Sequence, residues 1–352
     1  VGLAINLTGF NVTDIFYQRG IIISSLNLWL DARRVQELGF ISHAHSDHVG
    51  RHKRIFASPP TAKILNSQQK RPLTIHQTSN LNQETPGIYN LPYFQPHALN
   101  GASLTLYPAG HILGSAQILI EEKGRRILYS GDFSLEENPA AEKAQVPACD
   151  TLIMECTYGD PQYRFPPRRQ IARQLVELVT KTLGQDYTPI VFAYTLGKAQ
   201  EAIKILGDAG IPTATTPTIF ALCEIYRECG LELKNYEEYR KERLPGKVLV
   251  LPPHSRRYDW YRSIRRTRTF FLSGWAQQAG AERMFGVDMA LPLSDHADYQ
   301  QLFDYIELAK PRRIYTLHGP AAFAQELKRR GFRASHLEET ASGPKQLEMF
   351  KE

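Results

Sequence analysis

Between residues 20 and 155 the apolar positions come in short runs broken by Gly, Pro, Asn or charge. IIIS (21–24), LNLWL (26–30), LGFI (38–41), SLTLY (103–107), QILIE (117–121), RILYS (126–130) and TLIM (151–154) are the clearest. Short runs bounded by turn formers predict strands rather than helices. Residues 66–100 are polar and rich in Gln, Asn and Pro, which predicts a long connection holding one hairpin.

Near residue 165 the period changes. FPPRRQIARQLVELVTKTLG places Ile171, Leu175, Leu178, Val179 and Leu183 at helical spacing, with a Pro pair before and Gly184 after. PIVFAY (189–194) then predicts a strand, KAQEAIKILG a helix ending at Gly207, and PTIFALCEIYRECG another helix. KVLVL (247–251) and TRTFFL (267–272) predict strands. This alternation argues for an α/β module on a parallel sheet. The chain closes with helix YQQLFDYIELA, strand RRIYTL and helix AAFAQELKRRG.

The 352 residues allow roughly two domains and at least one large core. With 42% hydrophobic and 22% charged residues the composition is that of a globular protein. No apolar run reaches the ~18 residues of a membrane span, so no membrane partner is expected. The N-terminus lacks the basic, apolar and small-residue blocks of a secretory signal, although Val1 in place of Met leaves a short processed leader open. Four cysteines with no C-x-x-C pair point to reduced thiols in a cytoplasmic protein. A net charge of +6 suits a polyanionic partner without requiring one.

The unusual polar residues fall on this frame in one way. In ISHAHSDHVG (41–50), His43, His45, Asp47 and His48 follow the strand LGFI. His111 follows SLTLY, Asp132 follows RILYS and His318 follows RRIYTL. Singly, each reads as an ordinary turn residue. Together they lie just past strand ends, where side chains can converge on one rim. Imidazoles and carboxylates suit zinc, and also manganese or iron. Seven ligands exceed one tetrahedral ion; two ions sharing one carboxylate would use them all and leave room for a common water. Ions about 3.5–4 Å apart lower the pKa of that water and hold both ends of an in-line displacement at phosphorus.

H-x-H-x-D-H with the later His, Asp and His resembles the metallo-β-lactamase fold, a four-layered αββα sandwich. The resemblance implies His43, His45 and His111 on a first ion, and Asp47, His48 and His318 on a second, with Asp132 bridging. Asp31, ending LNLWLD, matches an acidic position that supports the ligands from behind; capping a helix in ARRVQEL is the plainer reading, and the two are compatible.

LIMECTYGD, SGW (273–275), LPLSDHADY and TLHGP are similar to the marks of the β-CASP nucleases, the nucleic-acid-processing branch of this fold. FAYTLGKAQEAIKIL resembles their inserted α/β domain. The implied organisation is a metallo-β-lactamase domain split into 1–161 and 291–352, with a β-CASP domain at 162–290. Glu155, His296 and His318 match three further motifs; Cys156 stands where a serine is common. The implied catalytic set is Asp47, Glu155 and His296: His296 protonates the leaving oxygen and Glu155 orients and charges that imidazole. On its own, His296 reads as a polar residue in a helix-capping loop.

LGKAQ lacks the rest of a phosphate loop. His52, His76, His97 and His336 match no motif and read as solvated or structural.

RRYDWYRSIRRTR (256–268) interleaves six arginines with Tyr258, Trp260 and Tyr261, and YRFPPRRQIAR (163–173) adds a second basic cluster. Arginines neutralise phosphates and aromatic faces stack on unpaired bases, so Arg256, Arg257, Arg262, Arg265, Arg266, Arg164 and Arg168 are candidate nucleic-acid contacts. A solvated helix face with inward aromatics explains the first stretch equally well. Little chain follows His318, and no N-terminal extension suggests an RNA-binding domain. The compact form, with CTYGDPQYRFP and LPLSDHADY, looks similar to bacterial DNA-ligase-associated exonucleases. That resemblance implies zinc or manganese, a ligase and a helicase as partners, and DNA ends trimmed to 5′-phosphate and 3′-hydroxyl products by a water held between two ions. An RNA-processing nuclease, a small-ester hydrolase and a catalytically dead scaffold are the alternatives.

Overall fold

The computed structural model describes residues 15–17, 20–77 and 81–337. Residues 1–14, read above for a leader, lie outside them. Strands and helices are numbered in chain order; α5 (Asp259–Arg262) and α6 (Ala281–Phe285) are two short helices on either side of the strand Thr267–Leu272.

Two seven-stranded sheets face each other. The first comprises β1 (Ile15–Tyr17), β2 (Ile21–Ile23), β3 (Leu28–Leu30), β4 (Leu38–Phe40), β5 (Arg54–Ala57), β6 (Ile75–His76) and β7 (Gly87–Asn90), ordered β1-β2-β3-β4-β5-β7-β6. The second comprises β8 (Pro96–Leu99), β9 (Ala102–Pro108), β10 (Ala116–Glu122), β11 (Arg125–Tyr129), β12 (Thr151–Glu155), β19 (Arg313–Leu317) and β20 (Ala334–His336), ordered β20-β19-β12-β11-β10-β9-β8. Side-chain alternation divides β10 between two cores. Ile118 and Ile120 join Leu30, Phe40 and Tyr89 between the sheets. Leu119 joins Leu302, Ile306 and Leu327 under α7 (Tyr299–Ala309) and α8 (Ala321–Arg329). On the far side Ile55, Ala57 and Ile88 pack with Ala62, Ile64 and Leu65 of α1 (Pro59–Ser67). The result is the expected αββα sandwich.

The stretch 66–100 is not one long connection. It carries β6, β7 and β8; β7 is buried and pairs parallel with β5, while β8 forms an antiparallel hairpin with β9. Parallel pairing is non-local, so the local pattern of β6 and β7 does not announce it. Nor is there a helix after Asp31, where residues 31–37 are irregular.

A third, six-stranded sheet is wholly parallel: β13 (Thr188–Phe192), β14 (Thr213–Thr215), β15 (Tyr236–Glu238), β16 (Val248–Leu251), β17 (Thr267–Leu272) and β18 (Met289–Leu291), ordered β15-β14-β16-β13-β17-β18. β18 ends one residue beyond the limit of 290 expected for the insertion. Val191, Val250 and Phe270 share a core with Leu175 of α2 (Arg168–Leu183), Ile203 of α3 (Lys198–Asp208) and Ile219 of α4 (Pro217–Glu228). Ile64 and Leu65 of α1 belong to the same core, which seats this module on the sandwich. In a parallel sheet every strand's C-terminal end lies on one edge, where ligand sites gather. The loops after β13, β16 and β17 therefore share an edge.

Candidate metal centre

The clustered residues leave the C-terminal ends of strands. His43, His45, Asp47 and His48 follow β4, His111 follows β9, Asp132 follows β11, Glu155 ends β12 and His318 follows β19. β9 and β11 flank β10 antiparallel to it, and β11, β12 and β19 run parallel, so these four ends share one edge. Gly131 lets the Asp132 turn approach the histidine turn. Its φ is +55°, and a Cβ there would meet that of Ser42 at 2.7 Å.

The hydrogen bonds fix the imidazole tautomers. Ser42 Oγ donates to Asp31 Oδ2 at 2.6 Å, so at 2.9 Å it accepts from His43 Nδ1. The Leu196 carbonyl accepts from His45 Nε2 at 3.1 Å, and the Asp295 carbonyl from His111 Nδ1 at 2.9 Å. In the neutral rings this leaves lone pairs on His43 Nε2, His45 Nδ1 and His111 Nε2. They converge: His45 Nδ1 lies 3.1 Å from His43 Nε2 and 3.2 Å from His111 Nε2. Lone pairs at that distance repel unless a cation stands among them. Zinc–nitrogen bonds of about 2.0–2.1 Å would set tetrahedral ligand atoms about 3.3 Å apart, so the donor set fits such an ion. Burial, with neighbouring imidazoles, holds His43 well below the usual histidine range and His111 at about 3. Both rings are thus kept in the neutral form that ligates.

Asp132 lies between this cluster and the next. Its Oδ2 is 3.6 Å from His43 Nε2 and 3.2 Å from His48 Nε2. Asp47 Oδ2 stands 3.7 Å from His48 Nε2, and the His318 ring centroid 5.3 Å from that of His48. Burial opposes a charge on His48, yet Asp132 and Asp31 raise it well above the usual range. Positive charge is favoured beside His48 and Asp132, whether proton or metal ion. Asp31 accepts from Ser42 N at Oδ1 and from Ser42 Oγ, His48 Nδ1 and Tyr129 Oη at Oδ2, all at 2.6–2.8 Å. It orients His48 directly and His43 through Ser42.

His296 and Glu155 complete the rim. His296 Nδ1 sits 3.0 and 3.1 Å from the two Glu155 oxygens, and its ring centroid is 4.5 Å from that of His111. Phe133 N and Thr157 Oγ1 also donate to Glu155, at 2.8 and 2.5 Å. Burial alone would lower His296, but Glu155 raises it to about 10. Asp298, not His296, caps α7 by accepting from Gln301 N. The Cys156 thiol is buried on the Leu317 carbonyl.

The arginines divide. Arg257, Arg262, Arg265, Arg266 and Arg164 are exposed, the last two over Tyr187 and Tyr299 respectively. Arg256 is half-buried over Phe192 and donates to the Phe285 carbonyl. Arg168 does not fit the role expected of it. It is buried, its guanidinium is engaged by Glu201 and by the Ser294 carbonyl, and it has no face to offer a strand. Tyr258 is exposed and nearly parallel to Trp260, so these aromatics do not all pack inward. His52, His76 and His336 have structural partners in Gln36, Pro86 and Thr316, and His97 is buried. Sequence reasoning missed Leu196 and Asp295, which act through backbone carbonyls, and Ser42 and Tyr129, whose hydroxyls serve Asp31.

Comparison with known proteins shows the family. The profile of the metallo-beta-lactamase superfamily matches residues 40–182, and that of the Zn-dependent metallo-hydrolase RNA specificity domain matches residues 284–340. A probable DNA ligase of Opitutus terrae is 37% identical over 325 residues, covering 91% of this chain and 31% of that protein. An RNase J-like protein of Methanocaldococcus jannaschii is 28% identical, covering 57% and 52%. Cleavage and polyadenylation specificity factor 73 of Drosophila melanogaster is 25% identical, covering 83% and 53%. The chain thus spans a third to a half of these relatives' own lengths. A crystal structure of a protein of unknown function from Enterococcus faecalis shares the fold, with a TM-score of 0.55 at 16% identity over 80% of this chain and 75% of that one. Two profiles meet at the same rim, one ending before β13 and the other beginning after β17, and the chain belongs to the metallo-β-lactamase superfamily and, within it, to the β-CASP nuclease family.

Proposed function

We propose that the chain is a metal-dependent phosphodiesterase that trims DNA ends. The observation that carries this reading is the convergence of three imidazole lone pairs beside a carboxylate shared with a second cluster, next to a carboxylate-held imidazole. His43, His45 and His111 would hold one divalent ion and Asp47, His48 and His318 a second, with Asp132 between them. Zinc suits the donors best, and manganese is compatible. When bound, the ions supply charge for the phosphate oxygens and a water acidic enough to attack at neutral pH.

The side chains do the rest. Asp31 holds His48 and Ser42 holds His43 in the ligating tautomer. Water adds to phosphorus as the bond from phosphorus to the 3′-oxygen breaks. His296 delivers its Nε2 proton to that oxygen, which as an alkoxide is far more basic than imidazole. Glu155 stabilises the imidazolium beforehand and the ring's orientation throughout. The products are a 5′-phosphate and a 3′-hydroxyl; one proton of the water restores the ring and the other leaves with the 5′-phosphate product.

DNA is favoured because the 37% identity to a probable DNA ligase runs through nine-tenths of this chain. A DNA ligase and a helicase are the partners this reading implies, in the cytoplasm. Residues 162–290 would form the inserted domain, and the exposed Arg257, Tyr258 and Arg262, in the segment after β16, are its candidate strand contacts; Arg265 and Arg266 directly precede β17, at the opposite end of the sheet from the loop after β13. Among the described residues no helix is long and apolar enough to cross a membrane. RNA processing is the second reading, favoured by the RNA specificity profile over 284–340. The test is digestion of matched DNA and RNA strands, labelled at either end, with zinc or manganese and with His296→Ala as control. Stepwise loss from a DNA end, absent in the variant, is expected. Cleavage of RNA alone selects the second reading; cleavage of neither by the metal-loaded protein overturns both.

A further inference from the structure

The LGKAQ stretch, which binds no phosphate on its pattern, lies against the metal centre from the inserted module. It covers the end of the turn after β13 and the first three residues of α3. Leu196 supplies the carbonyl that accepts from His45. Gly197 has φ +86°, and a Cβ there would come within 2.3 Å of Ile112, the neighbour of His111. Gln200 locks the turn by accepting from Gly197 N at 2.7 Å and donating to the Thr195 carbonyl at 3.1 Å.

Behind the turn runs a buried ionic chain. Lys198 is 1% exposed, with Nζ 3.4 Å from both Glu201 Oε2 and Asp295 Oδ1. Glu201 is fully buried and also pairs with Arg168, which reaches on to the Ser294 carbonyl. Ser294 and Asp295 are the residues before His296, and the Asp295 carbonyl is the one that accepts from His111. Burying so many charges adds little stability, because desolvation offsets attraction; what such a chain can supply is a fixed geometry.

We infer that the Leu196–Glu201 segment, at the start of α3, is a positioning element of the metal centre: Lys198, seated by Glu201, which Arg168 holds in turn, keeps the Leu196 and Asp295 carbonyls where they hold His45 and His111 convergent. Two of the three imidazoles in the first cluster thus owe their tautomer to this linkage across the module boundary. The inference rests on the metal-centre reading above and not on which nucleic acid is cut. Among the described residues Lys198 Nζ pairs with Glu201 and Asp295 and with none of the seven candidate metal ligands.

Lys198→Met alone strands Asp295 among buried groups and can unfold the chain. Lys198→Met combined with Asp295→Asn removes both charges and leaves Glu201 paired with Arg168. Zinc affinity is read by competition with a chromophoric chelator, the ligand field by the Co2+ absorption band, and folding by far-UV circular dichroism. The double variant is expected to fold, to bind the first zinc ion about 10–100-fold more weakly and to shift the Co2+ band, as loss of outer partners does. Lys198→Arg, which keeps the charge, should stay close to the unaltered protein. Wild-type affinity and an unchanged band in the folded double variant would overturn this inference alone. Failure of the unaltered chain to bind zinc at all would overturn the metal-centre reading with it. A measurement independent of any variant is 15N-histidine NMR of the zinc-loaded protein: exchange-protected protons are expected on His45 Nε2 and His111 Nδ1, and the opposite tautomer at either overturns the inference.

Discussion

Glu155 and His296 stand 141 residues apart in the chain, yet Nδ1 of the histidine lies between the two carboxylate oxygens at 3.0 and 3.1 Å. One belongs to the last position of β12, the other to the loop before α7, and Phe133 N holds the carboxylate in place. With Phe133 N, Thr157 N and Thr157 Oγ1 also donating, the carboxylate is fixed in place, and the ring it faces has only Nε2 left to use.

If that nitrogen protonates the leaving oxygen, His296→Ala should lower kcat on DNA by about 10²–10⁴-fold without changing metal content. On a nitrophenyl phosphodiester, whose leaving group needs no proton, the loss should shrink to a few-fold. Parallel kinetics on the two substrates, with metal counted by plasma emission, check this. An equal loss on both would assign His296 to binding or structure instead.

Much of this centre was legible in the chain because its ligands sit directly after strands whose own pattern is local. The second sheet's inner strands and the α7 span Tyr299–Ala309 follow from alternation and helical period alone. What was not legible depends on distance. β6 is two residues long and finds its parallel partner only in the folded chain. Leu196 and Asp295 serve the site through backbone carbonyls, which no side-chain pattern marks. Arg168 shares a basic run with exposed neighbours, and only its meeting with Glu201 shows that it is interior.

Asp31→Asn should weaken the second ion more than the first. The substitution halves the charge-accepting capacity facing Ser42, His48 and Tyr129, and an amide nitrogen cannot accept from any of them. Loss of such an outer partner typically costs about 10–100-fold in affinity. A buried tyrosine hydroxyl left unpaired adds about 1–3 kcal/mol of destabilisation. Stepwise zinc titration and thermal unfolding read the two effects separately; equal weakening of both ions would contradict the assignment of His48.

Metal should stabilise the fold as well as supply the chemistry. A ligand at about 1,000 times its Kd adds about 4 kcal/mol when it binds only the folded state. Chelation should therefore lower Tm by several degrees, and zinc should restore it. His43→Ala and Asp132→Ala should lose both the zinc-dependent rise and all cleavage. Full activity in a metal-stripped Asp132→Ala preparation would sink the mechanism.

The last prediction separates two arginines that look alike in sequence. Arg262 is exposed, its only partner among the described residues a weak contact to Asp259 at 3.5 Å, so Arg262→Ala should leave Tm unchanged. If it meets a phosphate, the same change should lower single-strand affinity and reduce the slope of log affinity against log salt by about one. Tyr258, exposed beside Trp260, should lose about 1–3 kcal/mol of single-strand binding on truncation, with little effect on a nitrophenyl diester too small to reach it. Arg168→Ala should behave in the opposite way. It strands the fully buried Glu201 with only Lys198 for a partner, and breaking such a pair costs about 3–5 kcal/mol. Its signature is a large fall in Tm with an unchanged salt slope in whatever protein remains folded. Fluorescence anisotropy across a salt series, paired with thermal unfolding, distinguishes the two. A stable Arg168→Ala protein with a shallower slope would return that side chain to the nucleic-acid surface.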